Sequence, residues 1–114
     1  MEVLFPRTME DLQNLRADSP DGLIMAGGTD LLVKLRRNGQ KPPAIFCIER
    51  LAELQRLDVL ESEVVIGAAV TQQRLLECEV IKTELTALHE ALLLLASPPV
   101  RHSATLVGNL CTAS

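Results

Sequence analysis

The sequence predicts an α/β (α+β) fold, with a small parallel layer followed by a unit that opens on antiparallel strands. Three observations carry this prediction. The aliphatic runs Leu23-Ile24-Met25-Ala26 and Ala44-Ile45-Phe46-Cys47-Ile48 read as near-continuous apolar strands, the kind that parallel sheets bury on both faces. Stretches with helical spacing precede each of them, which is the grammar of strand–helix–strand crossovers. From residue 57 the pattern changes to two short apolar runs on either side of Glu61-Ser62-Glu63, as in an antiparallel hairpin. The expected organisation is a first subdomain at 1–55 and the beginning of a second at 57–114.

Taken in order, Val3-Leu4-Phe5-Pro6 is an extended segment, and Thr8 then serves as N-cap of a helix to about Arg16, with Leu12 and Leu15 on one face. Asp18-Ser19-Pro20-Asp21-Gly22 is a turn cluster, and Leu23-Ile24-Met25-Ala26 follows as a strand. Leu31, Leu32 and Leu35 recur at helical spacing until Asn38-Gly39, a helix C-terminal signal reinforced by Pro42-Pro43. Ala44 to Ile48 is the next strand. Leu57-Asp58-Val59-Leu60 and Val64-Val65-Ile66-Gly67 make the hairpin. Thr71 caps a helix carrying Leu75 and Leu76, and a longer apolar helix from Leu85 to Leu95 stops at Ser97-Pro98-Pro99. Ala104 to Cys111 has turn and strand character.

The bulk properties narrow the function classes. At 114 residues, 47% hydrophobic and 23% charged, the composition is globular and not disordered. Two Phe with no Trp or Tyr leave an aliphatic core. A net charge of −4, with a single basic run at Lys34-Leu35-Arg36-Arg37, argues against a nucleic-acid footprint. Cys47, Cys78 and Cys111 lie far apart without a C-x-x-C pair, so they spell neither a zinc ribbon nor an iron–sulfur ligand set and read as reduced, buried thiols. An odd cysteine count without a signal-peptide pattern points to the cytoplasm. The run Ala91 to Ala96 is too short to cross a bilayer and reads as a buried helix end.

Chemistry concentrates at two turns. Ala26-Gly27-Gly28-Thr29-Asp30-Leu31 sits between a strand and a helix-like run; paired glycines let backbone approach a ligand, and a helix start offers unpaired N–H groups. A diphosphate is its natural guest. The spacing is neither G-x-G-x-x-G nor a P-loop, Thr29 has a hydroxyl to donate, and Asp30 suits a helix N-cap better than a phosphate contact. The second turn, Thr105-Leu106-Val107-Gly108-Asn109, has similar chemistry. No catalytic residue or metal ligand set emerges. His102 beside Arg101 reads as a surface turn pair, and His89 as a packed or half-exposed helix residue. Glu49-Arg50, Glu53 and Arg56 read as a solvated helix face with ion pairs at helical spacing.

These motifs resemble a known family. Ala26-Gly27-Gly28-Thr29-Asp30-Leu31-Leu32 after a strand, Ile66-Gly67-Ala68-Ala69-Val70-Thr71 before a helix, and the stretch from Val100 to Ser114 are similar to the N-terminal part of the FAD-binding subunit, or middle domain, of molybdenum hydroxylases such as xanthine dehydrogenase and carbon monoxide dehydrogenase. The resemblance covers nearly the whole chain. It implies FAD held between two subdomains, with Ala26 to Leu31 and Thr105 to Asn109 jointly enclosing the diphosphate. Electrons would pass from iron–sulfur clusters through FAD to NAD or another acceptor. Molybdopterin and 2Fe–2S centres would sit on partner subunits. Where the family has two glycines in the second turn this chain has Val107-Gly108, and a β-branched residue resists φ > 0 and crowds a close phosphate. The family continues beyond Ser114, so exposed strand edges are expected, and with them a homo-oligomer. Two other readings stand beside this one: a non-catalytic dimerisation or partner-binding scaffold, and another flavoenzyme of the wider FAD-linked oxidase group.

Overall fold

The computed structural model describes residues 2–27, 38–39, 41–95 and 101–112. Strand β1 (Glu2–Leu4) leads through Pro6 to α1 (Met9–Asp18). Thr8 is its N-cap, and the Thr8 hydroxyl accepts from the Asp11 backbone N–H at 3.1 Å. After the turn cluster come β2 (Leu23–Met25) and β3 (Ala44–Cys47). All three strands are parallel in the order β1-β3-β2, with Leu4 opposite Phe46 and Met25 opposite Cys47.

The central position of β3 explains why its four residues are all buried. Successive side chains point to opposite faces of a strand. Ala44 and Phe46 pack with Leu12, Ile48 and Leu51 on the α1 side, while Ile45 and Cys47 pack with Leu23 and Met25 on the other. The edge strand β2 is different. Ile24 is 45% exposed, so the expectation of burial on both faces holds for β3 and fails for β2, which among the described residues has a strand on one side only. The helix expected from Leu31 to Arg37 lies outside the described residues, as does the Ser97-Pro98-Pro99 stop.

The charged stretch after β3 is not a helix face. It forms two 3₁₀ turns, Ile48–Arg50 and Ala52–Leu54, because Ile48 and Leu51 are drawn into the core at a spacing of three. The charged side chains act individually. Glu53 accepts from the Met9 backbone N–H at 3.1 Å, Arg50 lies 4.2 Å from the centre of the Phe5 ring, and Arg56 pairs with Asp58.

Strands β4 (Leu57–Val59) and β5 (Val64–Ile66) form the antiparallel hairpin that the sequence predicts, with Asp58 opposite Val65. Three helices follow: α2 (Gln72–Leu76), α3 (Glu79–Glu84) and α4 (Thr86–Leu95). Thr71 caps α2, its hydroxyl accepting from the Arg74 N–H at 3.2 Å. Val70, Leu75, Ile81 and Leu92 are the buried centre here, with Leu57, Ile66, Leu88 and Leu106 packed against them. The apolar end of α4 is only partly buried: Leu92 is covered, whereas Leu94 is 89% exposed, because a single turn of helix presents one side to this core. Among the described residues no helix is long and apolar enough to cross a membrane, and no group of three or more His, Cys, Asp or Glu is placed to hold a metal ion.

Residues Leu106–Thr112 form a final helix, α5, where the sequence predicts turn and strand. Gly108 and Asn109 are turn-formers by propensity, but the Thr105 cap and the packing of Leu106 on the second core override it. The thiols are free, as expected, yet only Cys47 is buried; Cys78 is intermediate and Cys111 is exposed.

Candidate functional site

The two predicted turns meet. A Cβ placed on Gly27 would lie 2.2 Å from the Ser103 carbonyl oxygen and 2.9 Å from Ala104 Cα, so the backbone of 103–104 runs directly over this residue. Glycine is required at 27 for the approach of another chain segment. From the sequence alone a ligand is the expected reason for glycine here, and the structure shows a backbone contact. Gly28, Thr29, Asp30 and Leu31 lie outside the described residues.

The segment that covers Gly27 is held from the other side by α2. Gln72 N–H donates to the Ala104 carbonyl at 2.7 Å, Thr71 and Thr105 form an isolated antiparallel bridge, and Arg101 Nε donates to Gln73 Oε1 at 3.1 Å. Thr105 is 4% exposed, and its hydroxyl accepts from the Gly108 N–H at 2.9 Å. It thus caps α5 and retains its own proton to donate. Gly108 fits that cap closely, since a Cβ there would fall 2.7 Å from Thr105 Oγ1 and 3.9 Å from the Ala26 methyl. Val107 lies in the first turn of α5, where the negative φ of a helix is open to a β-branched residue. The conflict with φ > 0 expected at this position does not arise.

Around these contacts lies a cleft of about 300 Å³. Ala26 and Thr105, one from each predicted turn, both line it. Thr71, Ser103 and His102 add hydrogen-bonding side chains, Arg74 a guanidinium, and Glu49 a carboxylate; Gln55 and Ala69 complete the wall. Arg74 donates to the Gln55 carbonyl, which fixes it at the rim. The cleft sits where β2 and β3 end, the usual place for ligands in parallel sheets. Leu106, Val107 and Gly108 form the first turn of α5 behind Thr105 and do not line the cleft.

Several of these residues escaped the sequence reading. Thr71 and Ala69 lie in the 66–71 motif that marked the resemblance but were read only as a helix entry. His102 was read as a plain surface residue, and it is exposed, yet its turn borders the cleft. The sequence alone places Glu49 on a solvated helix face, and the structure places it on the cleft. A usable signal did exist: Glu49 is the second residue beyond a parallel strand, and strand ends of that kind face ligands.

A mixed α/β domain with a polar cleft at the carboxyl ends of its parallel strands belongs, by architecture, to the ligand-binding α/β domains. The sequence description of the FAD binding domain in molybdopterin dehydrogenase matches residues 1–114, and the chain belongs to that family. It is 36% identical over 108 residues to the putative xanthine dehydrogenase FAD-binding subunit of Escherichia coli (strain K12), covering 94% of this chain and 37% of that protein. It is 33% identical over 115 residues to the nicotinate dehydrogenase FAD-subunit of Eubacterium barkeri, covering 99% and 39%. Among solved structures, carbon monoxide dehydrogenase from Hydrogenophaga pseudoflava superposes with a TM-score of 0.88 at 29% identity, over 96% of this chain and 39% of that one. The chain spans little more than a third of the length of these relatives.

The cleft suits the diphosphate portion of FAD. Thr71, Ser103 and Thr105 offer hydroxyl donors and Arg74 a cation, which together match an anionic, oxygen-rich ligand.

Proposed function

We propose that the cleft holds the diphosphate of FAD and that the chain acts as the flavin-binding part of a molybdenum-hydroxylase-type oxidoreductase. The observation that carries this reading is the convergence of Ala26 and Thr105 on one hydroxyl-lined cleft. The diphosphate contact that the family resemblance assigns to Ala26, Gly27, Gly28, Thr29, Asp30 and Leu31 is part of this proposal, and Ala26 lines one wall. Thr105 forms the other, with Leu106, Val107, Gly108 and Asn109 as the helix turn that fixes it. The Thr71, Ser103 and Thr105 hydroxyls donate to phosphate oxygens. The Arg74 guanidinium offsets their charge, and the Gln55 carbonyl holds that guanidinium in place.

When bound, the flavin supplies the redox chemistry. The side chains described here bind and orient it, and none needs to react. In this reading residues 1–55 and 57–114 are two subdomains that close on the cofactor. Iron–sulfur and molybdopterin centres lie on partner subunits in the cytoplasm, and electrons leave the flavin for a separate acceptor. Support for a partner chain comes from Leu94 and Leu110, apolar side chains 89% and 71% exposed, which water solvates poorly.

The test is a titration of the purified chain with FAD, followed by flavin fluorescence. Saturable micromolar binding that weakens on Thr105→Val supports the proposal. Absence of saturable binding overturns it.

A further inference from the structure

Glu49 stands out within the cleft, because a carboxylate is acceptor-only and repels phosphate. Its backbone is fixed, and its side chain is exposed at the cleft. It lies in the 3₁₀ turn Ile48–Arg50 directly after β3, and its backbone carbonyl accepts from the Gln55 side-chain amide. Among the described residues no hydrogen bond or ion pair engages its carboxylate. Neighbouring β2 and β3 are parallel with Met25 opposite Cys47, so Ala26-Gly27 and Ile48-Glu49 leave the same end of the sheet on adjacent strands, about 5 Å apart. Both Ala26 and Glu49 line the cleft.

This placement separates two chemistries in one site. Among the described residues Arg74 brings a guanidinium to the cleft and Glu49 a carboxylate. A ligand that satisfies both carries an anionic group and, next to it, hydroxyl donors. In dinucleotide-binding sheets, an acidic residue about 20 residues beyond the glycine turn, at the end of the neighbouring strand, accepts from the ribose hydroxyl. Glu49 stands at that remove from Gly27-Gly28, although the glycine spacing differs. The likeness therefore lies in the adjacent strand ends and not in the motif.

We propose that Glu49 is a specificity-determining residue whose carboxylate accepts hydrogen bonds from the sugar hydroxyls beside the diphosphate. This inference rests on the flavin-nucleotide reading of the cleft. FAD carries such hydroxyls on both sides, in the adenosine ribose and in the ribityl chain. Hydrogen bonds to a charged acceptor are strong enough that losing one costs roughly tenfold to a hundredfold in affinity.

The experiment measures binding of two ligand pairs by calorimetry: ADP against 2′-deoxy-ADP, and FAD against its analogue lacking the ribityl 2′-hydroxyl. The wild-type chain is expected to favour the hydroxylated member of one pair by at least about tenfold, and which pair responds identifies the sugar. Glu49→Ala is expected to abolish that preference while leaving the deoxy ligand bound as before or more tightly. Glu49→Gln keeps one acceptor oxygen and retains part of the preference. Circular dichroism verifies that both variants fold. Equal binding within both pairs by the wild type, or equal weakening of both members in Glu49→Ala, overturns the inference and leaves the flavin reading intact. Failure of the wild type to bind either ADP or FAD overturns both.

Discussion

Gly27→Ala tests the junction on which the site depends. The added methyl would sit 2.2 Å from the Ser103 carbonyl oxygen and 2.9 Å from Ala104 Cα, where ordinary contacts begin near 3.4 Å. The obstructing atoms are backbone, so no side-chain rotation relieves the clash. A shift of about 1 Å is required, and overpacking of this kind costs about 1–3 kcal/mol. The segment cannot move freely, because Gln72 N–H holds the Ala104 carbonyl at 2.7 Å and Thr105 is bridged to Thr71. Weakening one such hydrogen bond adds about 1 kcal/mol. A total near 3 kcal/mol lowers Tm by roughly 10–20 °C in a domain of this size.

The assay is thermal and urea unfolding followed by circular dichroism, with Gly39→Ala as control. Gly39 has φ +65 and nothing within 4 Å of an added Cβ, so that substitution costs only the left-handed strain of about 1–2 kcal/mol. A Gly27→Ala melt within 3 °C of wild type (roughly half a kcal/mol on that scale), or a shift smaller than that of Gly39→Ala, would refute the close-packed junction.

Three further outcomes are expected. Thr105→Val removes the cap accepting from Gly108 N–H and is expected to cost about 1 kcal/mol of stability together with roughly tenfold in FAD affinity, read by urea unfolding and fluorescence titration; unchanged affinity would remove Thr105 from the site. Gln72 is fully buried and among the described residues both its amide atoms lack hydrogen-bond partners, so Gln72→Leu is expected to raise stability by about 1–2 kcal/mol; a lower urea midpoint would show that the amide is satisfied. Burial, with a smaller push from Glu49, raises the Cys47 thiol above its ordinary 9.0. The unfolded chain then releases this proton first, so stability from this group is full below about pH 9 and falls as pH rises further. Cys47→Ala flattens the alkaline limb, and an unchanged limb would contradict the assignment.

Local signals carried much of the fold. Thr8 and Thr71 announce helix starts because a hydroxyl there accepts an orphan backbone N–H, and both caps form. The apolar run at 44–48 reads as a doubly covered strand, and β3 is one. The run at 23–26 reads alike, yet β2 is an edge with Ile24 outward, since strand order depends on crossovers that residue chemistry does not encode. The glycine turn and the Thr105 segment stand out in the sequence, and Ala26 and Thr105 line one cleft. The reason for glycine at 27 was not legible in the sequence, because it depends on residues 103–104, far away in the chain.

By itself, the sequence determined the helix starts at Thr8 and Thr71, the strands at 23–25 and 44–47, the hairpin at 57–66, and that the core is aliphatic. These follow from side-chain period, caps and backbone freedom, all local properties. Only the tertiary structure decided that the turns touch, that Thr105 caps a helix instead of shaping a turn, and that Thr71, Arg74, Ser103 and Glu49 share the cleft. Such placements arise from packing between segments distant in sequence, where burial and hydrogen bonding across the junction outweigh local propensity.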